Sequence, residues 1–243
     1  MANFVKNRVV IANANDEQVK KVLDFIKSDE SLVDFNKVVP MPSGLETDDS
    51  TLGELGRDYI LSFYSSDSTE VNRIKGEFDK LDDEQKKECL SLGFEYISNK
   101  VKYGYENWYD WSCANWGTKW NADNVEVEDN VFSFDTPWSG AVPVIAALSR
   151  QFPDVCFEYE YAEEEIGFNV GKGVIKNGDT EGMIYPEDET DEAYRISYDL
   201  WPGCEGEISY GVSSDFCPER EGESSDRTSP EVSIECDDDS LPF

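Results

Sequence analysis

With 53 Asp and Glu residues, 21 Lys and Arg, and no histidine, this 243-residue chain has a restricted chemistry. The missing imidazole removes Ser-His and Cys-His nucleophile pairs and histidine metal sites at once. Carboxylate pairs remain, and two of them flanking a cleft would suit glycoside hydrolysis, but so many acids give no means of choosing a pair. Together they make a polyanion. A net charge of -32 and a pI near 4.1 oppose phosphate backbones and anionic lipid surfaces, so a cationic surface is the natural counterpart. Such charge also strains a compact chain by self-repulsion, which a basic partner would relieve. Adaptation to high salt explains it less well, because lysines outnumber arginines here and salt-adapted chains give lysine up.

Several acids sit where they would form arrays. In NVEVED, Glu126 and Glu128 project from one face of a strand, with Asp129 at its end; in VCFEYEY, Glu158 and Glu160 do the same while Phe157, Tyr159 and Tyr161 face the other way. Carboxylates two apart on a strand are separated by about 6.6 to 6.8 Å, close to the rise along the helix axis between every second phosphate of a DNA strand. Glu163, Glu164 and Glu165 extend the second array, and Glu187, Asp188, Glu189, Asp191 and Glu192 form another cluster. These residues are the candidate partner-binding set. Each cluster taken alone is also what a solvated face or turn looks like.

Other constellations carry less. Trp108, Trp111, Trp116, Trp120 and Trp138 would serve as a stacking platform for sugars or bases, or as core. Base stacking pairs aromatics with a positive groove, which this charge does not offer. The glycines of GKG, Gly171 and Gly173, lack the helix-opening context of a phosphate loop and read as a bulge or turn. Calcium-loop spacing is missing. Cys89, Cys113, Cys156, Cys204, Cys217 and Cys236 show no CxxC pairing, so reduced thiols are expected, and neither a metal nor a cofactor.

The elements that must position the acids follow from periodicity. Asn7 to Asn13 reads as a buried strand, followed by an amphipathic helix capped by Asp16 with Val19, Val22, Leu23 and Ile26 on one face. Phe35 to Val39 reads as a short strand stopped by Pro40 and Pro42. Residues 50–105 are patterned as a helical insertion with a mixed-charge polar face. Two alternating runs meeting at Asp129 and Asn130 suggest paired strands; a helix from about Ala141 ends before Pro153, and Val155 to Tyr161 and Ile166 to Ile175 are further strands. With the insertion set aside, the pattern is that of a split β-α-β sandwich, an α+β ferredoxin-like fold.

Residues 176–243 carry half of the net charge in well under a third of the chain. Tyr194, Ile196, Tyr198 and Leu200 alternate, with Ile208 and Tyr210 beyond, so the extension is expected to be partly β, and the stretch after Cys217 disordered. The domain reading is therefore 1–175 for the sandwich and 176–243 for the acidic extension. Without a signal-peptide pattern or a membrane-length apolar run, a cytoplasmic protein is expected.

NWGTKWNADN followed by FSFDTPWSGAVPVIAALSRQFPDVCFEYEYAEEEIGFNVG, with FNKVVPMP upstream, resembles the YubB-type ferredoxin-like domain family of phage and plasmid proteins. The resemblance spans about residues 1–175. It implies a mobile-element origin and agrees with the fold derived from the pattern, and it brings no activity, cofactor or catalytic residue. The expected function is non-catalytic: inhibition of a host nucleic-acid-handling defence complex, of the anti-CRISPR or anti-restriction type, by mimicry of nucleic acid. Two other classes remain open, an assembly partner of a basic phage or plasmid protein, and a carboxylate-dependent glycan hydrolase.

Overall fold

Strict alternation over Phe4–Ala12 sends Val5, Asn7, Val9 and Ile11 to one side, fully or almost fully buried, and makes this segment the central strand β1. A computed structural model describes residues 3–203 apart from Asp48. After β1 come α1 (Asp16–Ile26), α2 (Phe35–Val38), a 3-10 turn, α3 (Thr51–Ser62), α4 (Ser68–Asp79), α5 (Asp83–Tyr103) and α6 (Trp108–Asn115). The chain continues through β2 (Asp123–Glu128), β3 (Val131–Pro137), α7 (Val142–Gln151), β4 (Cys156–Glu163), β5 (Gly171–Ile175) and α8 (Asp191–Leu200). The sheet is antiparallel with order β2-β3-β1-β4-β5. That is a ferredoxin-like arrangement, β1-α1-β2 and β3-α7-β4 interleaved, with β5 added outside β4.

One face of the sheet carries the main core. Phe132 and Phe134 of β3, Phe157 and Tyr159 of β4, and Val9 and Ile11 of β1 pack with Val22 and Ile26 of α1 and Val144, Ile145 and Leu148 of α7. Asn7 is the polar hub of that core. Its amide donates to Val5 O, Phe134 O and Thr136 Oγ1, and its oxygen accepts from the Tyr159 hydroxyl and the Ala141 N–H. A fully buried amide so satisfied ties three strands to the start of α7.

Three local expectations are corrected. The cap of α1 is Asn15, not Asp16: its side chain accepts from the Gln18 N–H and the Gln18 side chain closes a capping box, while Asp16 sits in the first turn. Phe35 to Val39 is not a strand. Asp34 caps Asn36, Phe35 is buried edge-to-face against Trp116 and Phe134, and Asn121 clamps the turn by accepting from Phe35 N and donating to Asp34, so residues 35–38 coil into α2. The second strand of the first β-α-β unit is β2, on the far side of the helical insertion. Tyr194 to Leu200 is likewise helical. Thr190 caps α8, Asp191 and Glu192 occupy its first turn, and Ala193, Ile196, Ser197 and Leu200 are buried at helical spacing. The remainder of the extension, with Ile208, Tyr210, Cys204, Cys217 and Cys236, lies outside the described residues.

The helical insertion spans α3, α4 and α5 as its pattern required. Gly56 and Gly93 let α3 and α5 touch backbone to backbone, for a Cβ on Gly56 would overlap the Cys89 carbonyl and one on Gly93 would overlap the backbone of Gly56. Asp82 opens α5 with a capping box and Gly104, at φ 84°, closes it. Among the described residues no helix is long and apolar enough to cross a membrane.

Candidate acidic interaction surface

The face of the sheet opposite the main core is ordered by register into rows that cross the strands. One row runs Glu126, Ser133, Arg8, Glu160, Lys172 across all five strands, and its neighbour runs Glu128, Val131, Val10, Glu158, Val174. A depression of about 770 Å³ lies over the β2-β3 side, lined by Arg8, Glu126, Glu128, Asp129, Ser133 and Glu160 among others.

Glu126, Glu128 and Glu158 are exposed, as alternation required, and Asp129 sits in the β2-β3 turn at φ 51°. Glu160 is different. It is 9% exposed; Arg8 Nε–H donates to its Oε1 at 2.6 Å, Arg8 Nη2 reaches the same oxygen, and Lys172 Nζ lies 3.3 Å from Oε2. Placing it in a free acidic array is therefore corrected: two cations from neighbouring strands neutralise it. The burial follows from α8, which lies across β4 and β1, holds Ala162 in a small second core with Val170, Ala193, Ile196 and Leu200, and turns the Asp199 carbonyl toward Arg8 Nη1 at 3.4 Å. Asp135 occupies a similar position nearer the β2 edge. It is buried, accepts from Asn124 Nδ2 at 2.9 Å and faces Lys6 Nζ at 3.9 Å. Arg8, Lys6, Lys172 and Asp135 escaped sequence reasoning because their partners are joined only by strand register, up to 152 residues apart in Arg8–Glu160.

The remaining acids meet at one end of the sheet. Glu163 is half-buried and accepts from Asn169 Nδ2 at 3.0 Å, while Asn169 N–H donates to Asp188 Oδ1 at 3.0 Å and Glu189 N–H donates to Gly167 O at 2.9 Å. Asn169 therefore bridges two clusters that lie far apart in sequence. Glu164, Glu165, Glu187, Asp188, Glu189, Asp191 and Glu192 are exposed around this bridge. Glu192 is paired with Arg195 at 3.7 Å; among the described residues the others have no ion pair. Asp191 and Glu192 also complement the N-terminal dipole of α8.

This domain has been met elsewhere in part. Residues 115–199, from the end of α6 into α8, match the family model described as the ferredoxin-like domain in Api92-like protein. The chain carries a ferredoxin-like domain of the Api92-like family. The matched stretch of the Api92-like domain supplies β2 to β5 and α8, whereas β1, which fills the middle of the sheet, lies upstream. Among solved structures, the crystal structure of a protein api92 from Yersinia pseudotuberculosis is similar at 11% identity, covering 78% of this chain and 100% of that chain, with a TM-score of 0.36. No curated protein matches.

The tryptophans divide between two roles. Trp111 and Trp116 are buried edge-to-face, and Trp116 Nε1–H donates to Val39 O at 2.9 Å. Trp120 and Trp138 remain 47% and 44% exposed. Trp138 also holds φ 67°, a left-handed conformation that costs a bulky residue about 1–3 kcal/mol and persists only where its surroundings enforce it. Here Trp138 N–H donates to Asn3 O at 2.9 Å and Trp138 O accepts from Asn169 Nδ2 at 2.8 Å.

Among the described cysteines, Cys89 and Cys156 are buried and Cys113 is exposed. Burial pushes the Cys89 thiol up. Among the described residues no group of His, Cys, Asp and Glu is arranged to hold a metal ion.

Proposed function

We propose that this chain acts by stoichiometric binding, its acidic edge occupying a basic, nucleic-acid-binding groove of a host protein complex. The carrying observation is the bridge at Asn169, which gathers Glu164 and Glu165 with Glu187, Asp188, Glu189 and Asp191 into one exposed patch. Carboxylates held in one place without counter-cations repel one another, and a cationic surface removes that repulsion. Glu126, Glu128 and Asp129 at the β2-β3 end add a second acidic site, beside the depression over the sheet. A net charge of -32 gives such contacts long-range attraction to a basic groove and strong dependence on salt. The resemblance to YubB-type proteins of phage and plasmids supports a defence complex, of the CRISPR or restriction type, as the target.

The test is affinity capture from host cytosol after nuclease treatment, followed by competition with DNA for each captured protein. The variant changes Glu164, Glu165, Glu187 and Glu189 to Gln and Asp188 and Asp191 to Asn. Capture of a basic complex whose DNA binding is lost when the wild-type chain binds, and regained with the variant, is the expected result. A partner that binds DNA and this chain together would overturn mimicry and favour the assembly role.

A further inference from the structure

Lys119 sits in a box of four rings. Its ammonium lies 4.8 Å from the Trp120 ring centroid, 5.0 Å from Trp138, 5.3 Å from Tyr109 and 5.9 Å from Trp108. All four distances fall within cation–π range. Among the described residues no carboxylate pairs with this ammonium, in a protein with a large excess of carboxylates.

The box is built rather than incidental. Ser112 Oγ–H donates to Lys119 O at 2.8 Å and Thr118 Oγ1–H to Pro137 O at 2.8 Å, fixing the loop that carries Lys119 and Trp120. Trp138 is kept in its left-handed conformation on the opposite wall, and Tyr109 meets it edge-on at 6.5 Å. A clasp that served only to hold the fold would bury its indoles, yet Trp120 and Trp138 are both nearly half exposed. Exposed Trp beside half-buried Trp and Tyr on a rigid frame is the composition of a protein-binding hot spot.

The box also touches the acidic edge. The same Asn169 Nδ2 that donates to Glu163 donates to Trp138 O, so the backbone that carries the Trp138 ring is tied to the acidic end of the sheet.

We infer that the Trp108, Tyr109, Trp120 and Trp138 box is a receptor for an arginine side chain of a protein partner, with Lys119 as its resident, exchangeable occupant. Exchange trades one cation–π contact for another, and guanidinium is the better guest because it is planar, stacks on indole and is more weakly hydrated than ammonium. The inference rests on the reading that this chain binds a basic protein, and not on mimicry of nucleic acid.

The experiment uses the full chain labelled with 15N and N-acetyl-arginine amide, which carries one positive charge, as the probe. The indole N–H signals of Trp108, Trp120 and Trp138 report on the box, and backbone amides near Glu165 and Glu187 report on charge attraction alone. Lys119→Met removes the tethered competitor, so the indole signals should shift saturably, with affinity about tenfold or more above the wild type. Adding Trp120→Leu to Lys119→Met should weaken that binding about tenfold. Trp120 makes no wall of the main core, and thermal melts of each variant confirm folding. Indole signals that stay fixed in Lys119→Met while the acidic-edge amides move would overturn the receptor, as would equal affinity in wild type and Lys119→Met. An N-acetyl-lysine amide that binds as tightly would overturn the arginine assignment. None of these outcomes depends on the partner capture above.

Discussion

Arg8 on β1 and Glu160 on β4 face each other in register, with Nε 2.6 Å from Oε1, while Lys172 on β5 approaches the other carboxylate oxygen to 3.3 Å. Three strands thus share one ion-paired group beneath α8. Breaking it should uncover a nearly buried charge. Arg8→Met should lower unfolding free energy by about 2 kcal/mol, less than for a fully buried pair because the Arg8 side chain is 35% exposed. Adding Glu160→Met should restore part of the loss, as read by urea denaturation of the two variants.

Glu126 and Glu128 share that sheet face with Glu160 but remain exposed. Glu126→Gln with Glu128→Gln should leave stability within about 0.5 kcal/mol and reduce partner affinity and its dependence on salt. Glu160→Gln should do the reverse, lowering the thermal midpoint with little effect on partner affinity. Paired melts and binding isotherms at two salt concentrations separate the cases.

The α3-α5 crossing depends on two missing side chains. Gly56→Ala would drive a methyl group into the Cys89 carbonyl of α5, backbone that cannot turn aside, at an expected cost of about 3 kcal/mol. Gly76→Ala, in α4 with open space around it, should be neutral or stabilising by up to about 1 kcal/mol. Chemical denaturation of the two single variants is the measurement.

Alkaline pH should destabilise the sandwich through its buried phenols. Burial raises Tyr159 well above the ordinary tyrosine value and, helped by Tyr185, pushes Tyr161 up to about 12. The unfolded chain releases both protons near pH 10 whereas the folded chain keeps them, so this contribution is complete below pH 10 and is lost as pH rises through the folded values. Unfolding midpoints measured between pH 9 and 12 should fall, and fall less steeply in Tyr161→Phe.

Much of this molecule was legible from local pattern. Alternation in β1, β3 and β4, the helical spacing of Leu52 to Ile97, and the turn at Asp129 and Asn130 each report a short-range requirement, burial of one face or closure of one turn, and so they survive into the fold. Where two local readings compete, pattern alone is silent. Phe35 to Val39 and Tyr194 to Leu200 fit strand alternation, yet Asp34 and Thr190 caps and the burial of Phe35, Ile196 and Leu200 make both segments helical.

The sequence by itself determined a ferredoxin-like sandwich, an overwhelming negative charge and chemistry without histidine. Only the tertiary structure decided which acids are free: register sets Arg8 and Lys172 beside Glu160, and α8 turns the Asp199 carbonyl toward Arg8. It alone joined Glu163 to Asp188 through Asn169, and enclosed Lys119 in rings drawn from three separate segments. The reason is the range of the forces involved. Periodicity records what neighbouring residues need from one surface, whereas ion pairing and ring contact depend on distances that only the folded chain brings below a few ångströms.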